Sequence, residues 1–303
     1  MKNYITLSTV NFHAVWGNKD INRKRIIEYI GVLARQGSDI IVFPEMALTG
    51  YDYDENINMQ KTLAETLDGE SIAEIAKETQ KYEVYAVFGM PEKDVNGNIY
   101  NSAAVCGPQG IIGMYRKIHL AGEEAKWAIA GNHPFMFDTE WGPIGISICY
   151  DTYIFPEITR YYKAKKVRLL LNPTAVFKTT KAKAHMTTLL ARSATDNIYI
   201  ASANLYGMDH EHTFLGKSNI VGPAKTNGEA EILAGIGFDE NESSAQTVET
   251  AEFDMSTLPY HTYSHLFDKN VKVGVPDWRP KLYAKMCEEL LKDSKWRRGE
   301  ANG

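Results

Sequence analysis

Apolar residues along this chain fall into two kinds of pattern, helical repeats and short continuous runs, and the two alternate. Ile26, Ile27, Ile30, Leu33 and Ala34 recur at helical spacing between Asp20, which can cap a helix, and Gly37, so a helix is predicted from about 20 to 36. The run from Asp39 to Phe43 is short, β-branched and almost wholly apolar, which suits a strand buried on both faces, and its C-terminal end presents Pro44 and Glu45. Ser71 and Glu74 have capping-box spacing ahead of Ile72, Ala73, Ile75 and Ala76, which predicts a helix to about Tyr82 leading into a strand from Val84 to Gly89. Asn96-Gly97 and the Gly107 to Gly110 segment then punctuate two runs, 99–105 and 111–115, as the turns of an antiparallel meander do, and the meander exits into Arg116 and Lys117.

The second half repeats the scheme. A strand is predicted from Gly142 to Cys149, a helix after Pro156, a buried strand from Val167 to Asn172, a helix from about Thr180 to Asn197 and a strand from Ile198 to Asn204. Later strands are expected over 217–221 and 246–253, and a terminal helix begins near Pro280 with Leu282, Met286, Leu290 and Leu291 on one face. Helices alternating with strands, interrupted by hairpin signals, give an α/β fold with mixed sheets covered by helices. The stacking order of the layers does not follow from periodicity.

Length and charge narrow the classes. The 303 residues, 44% of them hydrophobic, support one large domain or at most two, and no linker divides them, so a single domain over 1–303 is expected. Lys+Arg 33 against Asp+Glu 38 gives a net charge of −5, which offers no electrostatic case for nucleic acid or an anionic membrane. No apolar run approaches the roughly 20 residues of a membrane helix. The start of the chain reads as an alternating strand rather than a secretory signal, which sets the expectation of a cytoplasmic protein. The three cysteines, Cys106, Cys149 and Cys287, lack the close spacing of a zinc or redox site.

Three of these strands end on reactive side chains. Cys149 closes a buried strand where ligand crevices of α/β sheets form, although a lone Cys in an apolar run is more often a small core hydrophobe. Glu45 also ends a buried strand and is followed by Met46-Ala47-Leu48, a setting that would partly desolvate its carboxylate and make it a better proton acceptor near neutral pH, although taken alone an exposed Glu at a strand end is the commoner case. Lys117 alone would read as a surface cation. If the three exits converge, they supply a nucleophile, a proton shuttle and an oxyanion partner, the parts of an acyl-transfer site.

The words around these residues are specific. Phe43-Pro44-Glu45 with Gly50-Tyr51, Tyr115-Arg116-Lys117-Ile118-His119, and Ile148-Cys149-Tyr150-Asp151 with Phe155-Pro156-Glu157 occur in an order and spacing that resemble the nitrilase superfamily of carbon-nitrogen hydrolases. Asn172-Pro173-Thr174-Ala175, Arg192 to Asn197, Phe214 to Ser218 and Arg279 to Tyr283 extend the resemblance over most of the chain. The resemblance implies a four-layer αββα sandwich in which Glu45, Lys117 and Cys149 match the catalytic set. It also implies a second glutamate that holds the lysine; counting back from Gly131 favours Glu124 over Glu123. The usual aromatic residue and proline before that glycine are missing here, and Asp196 stands where the family often has Glu.

The same resemblance implies the amidase and carbamoylase branches, because Tyr150 rather than tryptophan follows Cys149. The expected reaction is hydrolysis of a small amide through a cysteine thioester, with an N-carbamoyl substrate, a nitrile, acyl transfer or binding without turnover as alternatives. Tyr51, Tyr150, Tyr153, Asn172 and Phe177 are the expected substrate-binding residues, and Arg160 or Lys178 could meet a substrate carboxylate. No cofactor and no metal are expected: His210 with His212 lies in a polar loop, and His261 with His265 lacks a third ligand. The helix after Pro280 suits pairing of subunits into a homodimer or a larger homo-oligomer.

Overall fold

The structure, a computed structural model, describes residues 2–51, 58–179, 182–210, 212–224, 229–237, 245, 247–256 and 278–293. Residues 1–261 form one compact unit and 262–303 a second.

The first unit holds two six-stranded mixed sheets. In one, β1 (Tyr4–Val10), β2 (Ile40–Val42) and β3 (Tyr85–Lys93) run parallel. β4 (Ile99–Gly107) and β5 (Gly110–Arg116) extend it antiparallel as the predicted meander, and β14 (Val248–Asp254) closes the other edge against β1 with Ile5 opposite Phe253. In the other sheet β7 (Gly142–Ile146), β8 (Leu169–Thr174) and β9 (Tyr199–Asn204) are parallel. β6 (Phe135–Thr139) flanks β7, and β12 (Asn219–Pro223) and β13 (Ala230–Gly235) follow β9, all antiparallel. A separate ribbon pairs β10 (Tyr206–Asp209) with β11 (His212–Leu215).

Strand alternation divides the apolar residues among three cores. Ile40, Val42, Tyr85 and Val87 of the first sheet meet Ile144, Ile146, Leu169, Leu171 and Ala201 of the second in the central layer. The opposite residues of the same strands, Ile41, Ala86 and Phe88, pack under α1 (Lys19–Arg35) and α3 (Glu70–Tyr82), where Ile26, Ile30, Ile72 and Ile75 meet them. On the far side Leu170, Ile200 and Val221 pack against Ile158 and Tyr162 of α5 (Pro156–Ala164) and Met186 and Leu189 of α6 (Ala182–Asp196). The result is a four-layer αββα sandwich. Two short helices, α2 (Met59–Leu63) and α4 (Tyr150–Ile154), complete the unit. The second unit contributes α7 (Pro280–Lys292), which taken by itself leaves Leu282, Met286, Leu290 and Leu291 exposed.

Several elements differ from the sequence pattern. The cap of α1 is Asn18, whose side chain accepts the Ile21 N–H at 3.1 Å, while Asp20 lies in the first turn. The Ser71/Glu74 capping box is not formed: Glu65 reaches in from outside the helix to accept the Ser71 N–H and hydroxyl at 2.9 and 2.6 Å, and Glu74 pairs with Arg23 instead. The strand predicted to run to Cys149 ends at Ile146. β6, the β10–β11 ribbon and β13 carry no clear sequence signal. Gln246, residues 180 and 181, and His261 with His265 lie outside the described residues. Among the described residues no helix is long and apolar enough to cross a membrane.

Candidate active site

Glu45 sits on a tight turn directly after β2, with Met46 at φ 54°. Gly89 of β3 makes that turn possible, because a Cβ there would lie 2.4 Å from the Met46 nitrogen and 2.5 Å from the Glu45 Cα. The Gly89 N–H donates to the Pro44 carbonyl at 2.9 Å and the Leu48 N–H to the Gly89 carbonyl at 3.1 Å, so the turn is riveted to β3. We expect Gly89→Ala to destabilise the protein by about 1–3 kcal/mol and to reduce activity by displacing Glu45; unchanged melting and turnover would contradict this.

Lys117 leaves β5 into the interior and is 1% exposed. Its Nζ donates to Glu45 Oε1 and to Glu124 Oε1, each at 2.8 Å. Burial alone would lower the lysine pKa, but the two carboxylates outweigh it and hold the group well above its ordinary value as a fixed cation. Burial raises the Glu45 pKa, with Lys117 opposing. Of the adjacent glutamates, Glu124 reaches the lysine, whereas Glu123 pairs with Lys126 at the surface. Glu124 is fully engaged: Oε1 also accepts the Tyr51 hydroxyl and, at 2.8 Å, Asn101 Nδ2, while Oε2 accepts the Ala121 N–H at 2.7 Å. Gly131 packs against this corner, its N–H on the Lys117 carbonyl at 2.7 Å and its Cα so close to Arg116 that a Cβ would meet the carbonyl oxygen at 2.3 Å.

Cys149 occupies an elbow between β7 and α4 at φ 47°, a conformation an L-residue holds only when its surroundings impose it. Its N–H donates to the Pro173 carbonyl at 3.0 Å and to Asn172 Oδ1 at 2.9 Å, and Thr152 Oγ1 donates to the same oxygen at 2.9 Å. Asp151 ties the elbow to the lysine segment by accepting the Tyr115 hydroxyl, the Ile118 and His119 N–H groups and His119 Nδ1, all within 3.1 Å. His119 in turn stacks on Phe155 at 3.4 Å. Burial, followed by the Glu45 charge, pushes the Cys149 thiol up to about 12, against the opposing pull of Lys117, the Ala175 N–H and the Thr174 hydroxyl. Burial thus disfavours the charged thiolate at this position.

The carbon-nitrogen hydrolase family model matches residues 6–258. The chain belongs to the carbon-nitrogen hydrolase family. It is similar to a nitrilase of Pyrococcus abyssi, 30% identical over 240 residues that cover 78% of this chain and 84% of the relative. It is also similar to the ω-amidase NIT2 of Homo sapiens, 32% identical over 235 residues, 73% of this chain and 81% of the relative. The fold matches a glutamate-to-glutamine variant of the amidase from Nesterenkonia sp. AN1, solved with an acetamide moiety on its active-site cysteine: TM-score 0.75, 20% identity, 93% of this chain and 97% of that one. Saccharomyces cerevisiae Nit3, another member of the nitrilase superfamily, matches with a TM-score of 0.73 at 21% identity over 84% of this chain and 91% of its own.

In this nitrilase-superfamily hydrolase Glu45, Lys117 and Cys149 line one cavity of about 170 Å³. Tyr51, Tyr150, Tyr153 and Phe177, expected from the sequence to bind substrate, also line it, together with Ala121, Ala175, Val176, Thr179 and His185. The Tyr51 hydroxyl, however, is directed to Glu124. Asn172 is a correction: it is fully buried, does not line the cavity, and spends its amide on the Cys149 elbow and on Ser202 at 2.5 Å. Arg160 is likewise not at the cavity but on Asp196 at 2.5 Å, and Lys178 is absent from the lining.

Sequence reasoning missed Asn101, Thr174, Asp151 and His185. His185 sits edge-on to Tyr153 at 4.6 Å, and burial lowers its pKa, so it faces the cavity uncharged at neutral pH.

Proposed function

We propose that the enzyme is an amidase in which Cys149 is the nucleophile, Glu45 the general base and acid, and Lys117 the oxyanion partner. The observation that carries this reading is the Glu45–Lys117 ion pair, braced from behind by Glu124, lining one cavity with the Cys149 thiol. Glu45 takes the thiol proton as sulfur attacks the amide carbonyl. An ammonium has three N–H donors; Glu45 and Glu124 use two, and the third, with the backbone N–H of Tyr150, meets the oxyanion. Protonated Glu45 then donates to the departing nitrogen, which leaves as ammonia. Glu45 next deprotonates a water that opens the thioester, releasing the carboxylate and restoring the thiol.

Because Glu45 must be ionised to accept the proton and its pKa is raised, kcat/KM should fall as pH drops through a limb above the usual carboxylate range of about 4. A profile flat down to that range would contradict the role.

The substrate class follows from the lining. Among the described residues of the cavity Lys117 is the only fixed cation, and two carboxylates enclose it, while Tyr150, Tyr153, Val176 and Phe177 supply an apolar and aromatic wall. An amide with a compact, uncharged acyl group suits this site better than an amide of a dicarboxylic acid, whose distal carboxylate would meet no second cation among the described lining residues. Ammonia release from a panel of neutral primary amides, ω-amides of dicarboxylic acids and N-carbamoyl compounds, with Cys149→Ala as the control, tests both parts. Neutral amides should give the highest kcat/KM; preference for the ω-amides would overturn the substrate class, and activity in the control would overturn the nucleophile.

The chain is further proposed to work as one hydrolase domain that assembles into a homodimer or larger homo-oligomer through α7. Sedimentation of the full chain should then give a mass above one subunit, reduced in a Met286→Asp/Leu290→Asp variant.

A further inference from the structure

Asn101 lies in the buried stretch of β4, is fully enclosed, and touches every part of the charged cluster. Its backbone carbonyl accepts the Lys117 N–H at 2.8 Å, which fixes where the lysine leaves β5. Its Nδ2 donates to Glu45 Oε1 at 2.7 Å and to Glu124 Oε1 at 2.8 Å, the same two oxygens that Lys117 holds. Its own Oδ1 is buried and meets no donor among the described residues. A buried carbonyl left unsatisfied is unfavourable, and turning the amide over would satisfy nothing, because it would set oxygen against two carboxylate oxygens. The side chain is thus oriented entirely by what its two N–H groups do.

The consequence lies at the other oxygen of Glu45. Both hydrogen bonds to that carboxylate fall on Oε1. We infer that Asn101 is a positioning residue that clamps Oε1 of Glu45 and Oε1 of Glu124 on the Lys117 ammonium and thereby reserves Oε2 of Glu45 for proton exchange with the Cys149 thiol. This inference rests on the amidase reading above. Without the clamp a carboxylate between one cation and a second carboxylate can rotate, share both oxygens with the ammonium, and lose the unengaged one. The Asn101 bond also favours the ionised form of Glu45, so its loss raises the pH needed for that ionisation.

The test is the pH dependence of kcat and kcat/KM for Asn101→Ala on a neutral primary amide, with Glu45→Gln run in parallel. Two charge-assisted hydrogen bonds are lost, one of them to Glu45, so kcat should fall roughly tenfold to a hundredfold. KM should stay within about twofold, because Asn101 does not line the cavity. The acid limb of kcat/KM should move up by about one pH unit. Asn101→Ser, which keeps one donor, should show a smaller shift of the same sign and supplies the measurement if the alanine variant does not fold. Lowered kcat with the acid limb unmoved in the folded variant would reduce Asn101 to a structural role and overturn the inference. Full activity in Glu45→Gln would instead overturn the amidase mechanism itself, so the two failures are distinguishable.

Discussion

Replacing Cys149 with alanine is expected to abolish hydrolysis while leaving the fold intact. Loss of a covalent nucleophile typically lowers turnover by roughly 10⁴–10⁶-fold. The elbow is held by the Cys149 backbone, through Pro173 and Asn172, rather than by the sulfur, so the variant keeps its geometry. Removing one sulfur from a site that is already open to a cavity should change stability by no more than about 1 kcal/mol. Turnover and thermal melting measured on the same preparation separate the two effects. A variant that retains more than a few per cent of activity would remove Cys149 from the mechanism, and one that fails to melt cooperatively would show that the thiol holds the elbow together.

The largest effect on stability belongs to Lys117. Truncation to alanine leaves Glu45 and Glu124, 1% and 0% exposed, without the ammonium that each contacts at 2.8 Å. Removing one partner of a buried ion pair costs about 3–5 kcal/mol, a fall in Tm of roughly 5–10 °C for a chain of this size. The effect has a definite sign with pH. Burial already raises the Glu45 carboxyl pKa above its unfolded value and Lys117 opposes that raise, so without the cation the protonated folded state is favoured below about pH 4 and loses that advantage as pH rises through the raised value. Lys117→Ala should therefore be most destabilised relative to wild type at neutral pH and regain stability on mild acidification. Activity should vanish at every pH, because the oxyanion loses its charged partner. Equal melting curves for variant and wild type at pH 7.5 would contradict the cluster as described.

The sequence carried the layers more readily than the joints. Strands buried on both faces announce themselves as continuous apolar runs, and Ile40 to Val42 and Leu169 to Leu171 sit in the sheet centres as that pattern requires. The β10–β11 ribbon had no such signal because tertiary contacts hold it: Tyr206 donates to the Phe12 carbonyl, Leu215 to that of Val176, and Phe214 packs on Phe177. α4 is five residues long, too short for a helical period to register, so the apolar pattern alone extends the strand before it to Cys149.

The same division applies to the site. Glu45, Lys117 and Cys149 each follow within three residues of a strand's end, so local pattern marks them as exits from buried elements, and their motif words supply the rest. Asn101 looks like any polar residue at the start of a strand; only the register that sets β4 beside β3 and β5 turns it toward Glu45 and Glu124. Asn172 misled for the opposite reason. From the sequence a buried strand ends at it, but β8 runs on to Thr174, its parallel pairing with β9 places Ser202 opposite Asn172, and the amide is consumed by Ser202 and the elbow.

The central claim is that catalysis passes through an acyl group on Cys149 whose formation and hydrolysis both use Glu45. The most direct measurement is rapid acid quenching of wild type and Glu45→Gln during reaction with an activated ester of the preferred acyl group, followed by peptide mass mapping. The predicted result is an added mass equal to that acyl group on the peptide containing Cys149, transient in wild type, and in Glu45→Gln slower to form from the activated ester but persistent once formed. Turnover with no acyl group on Cys149, an acyl group on a different side chain, or clearance as fast in Glu45→Gln as in wild type would contradict the account.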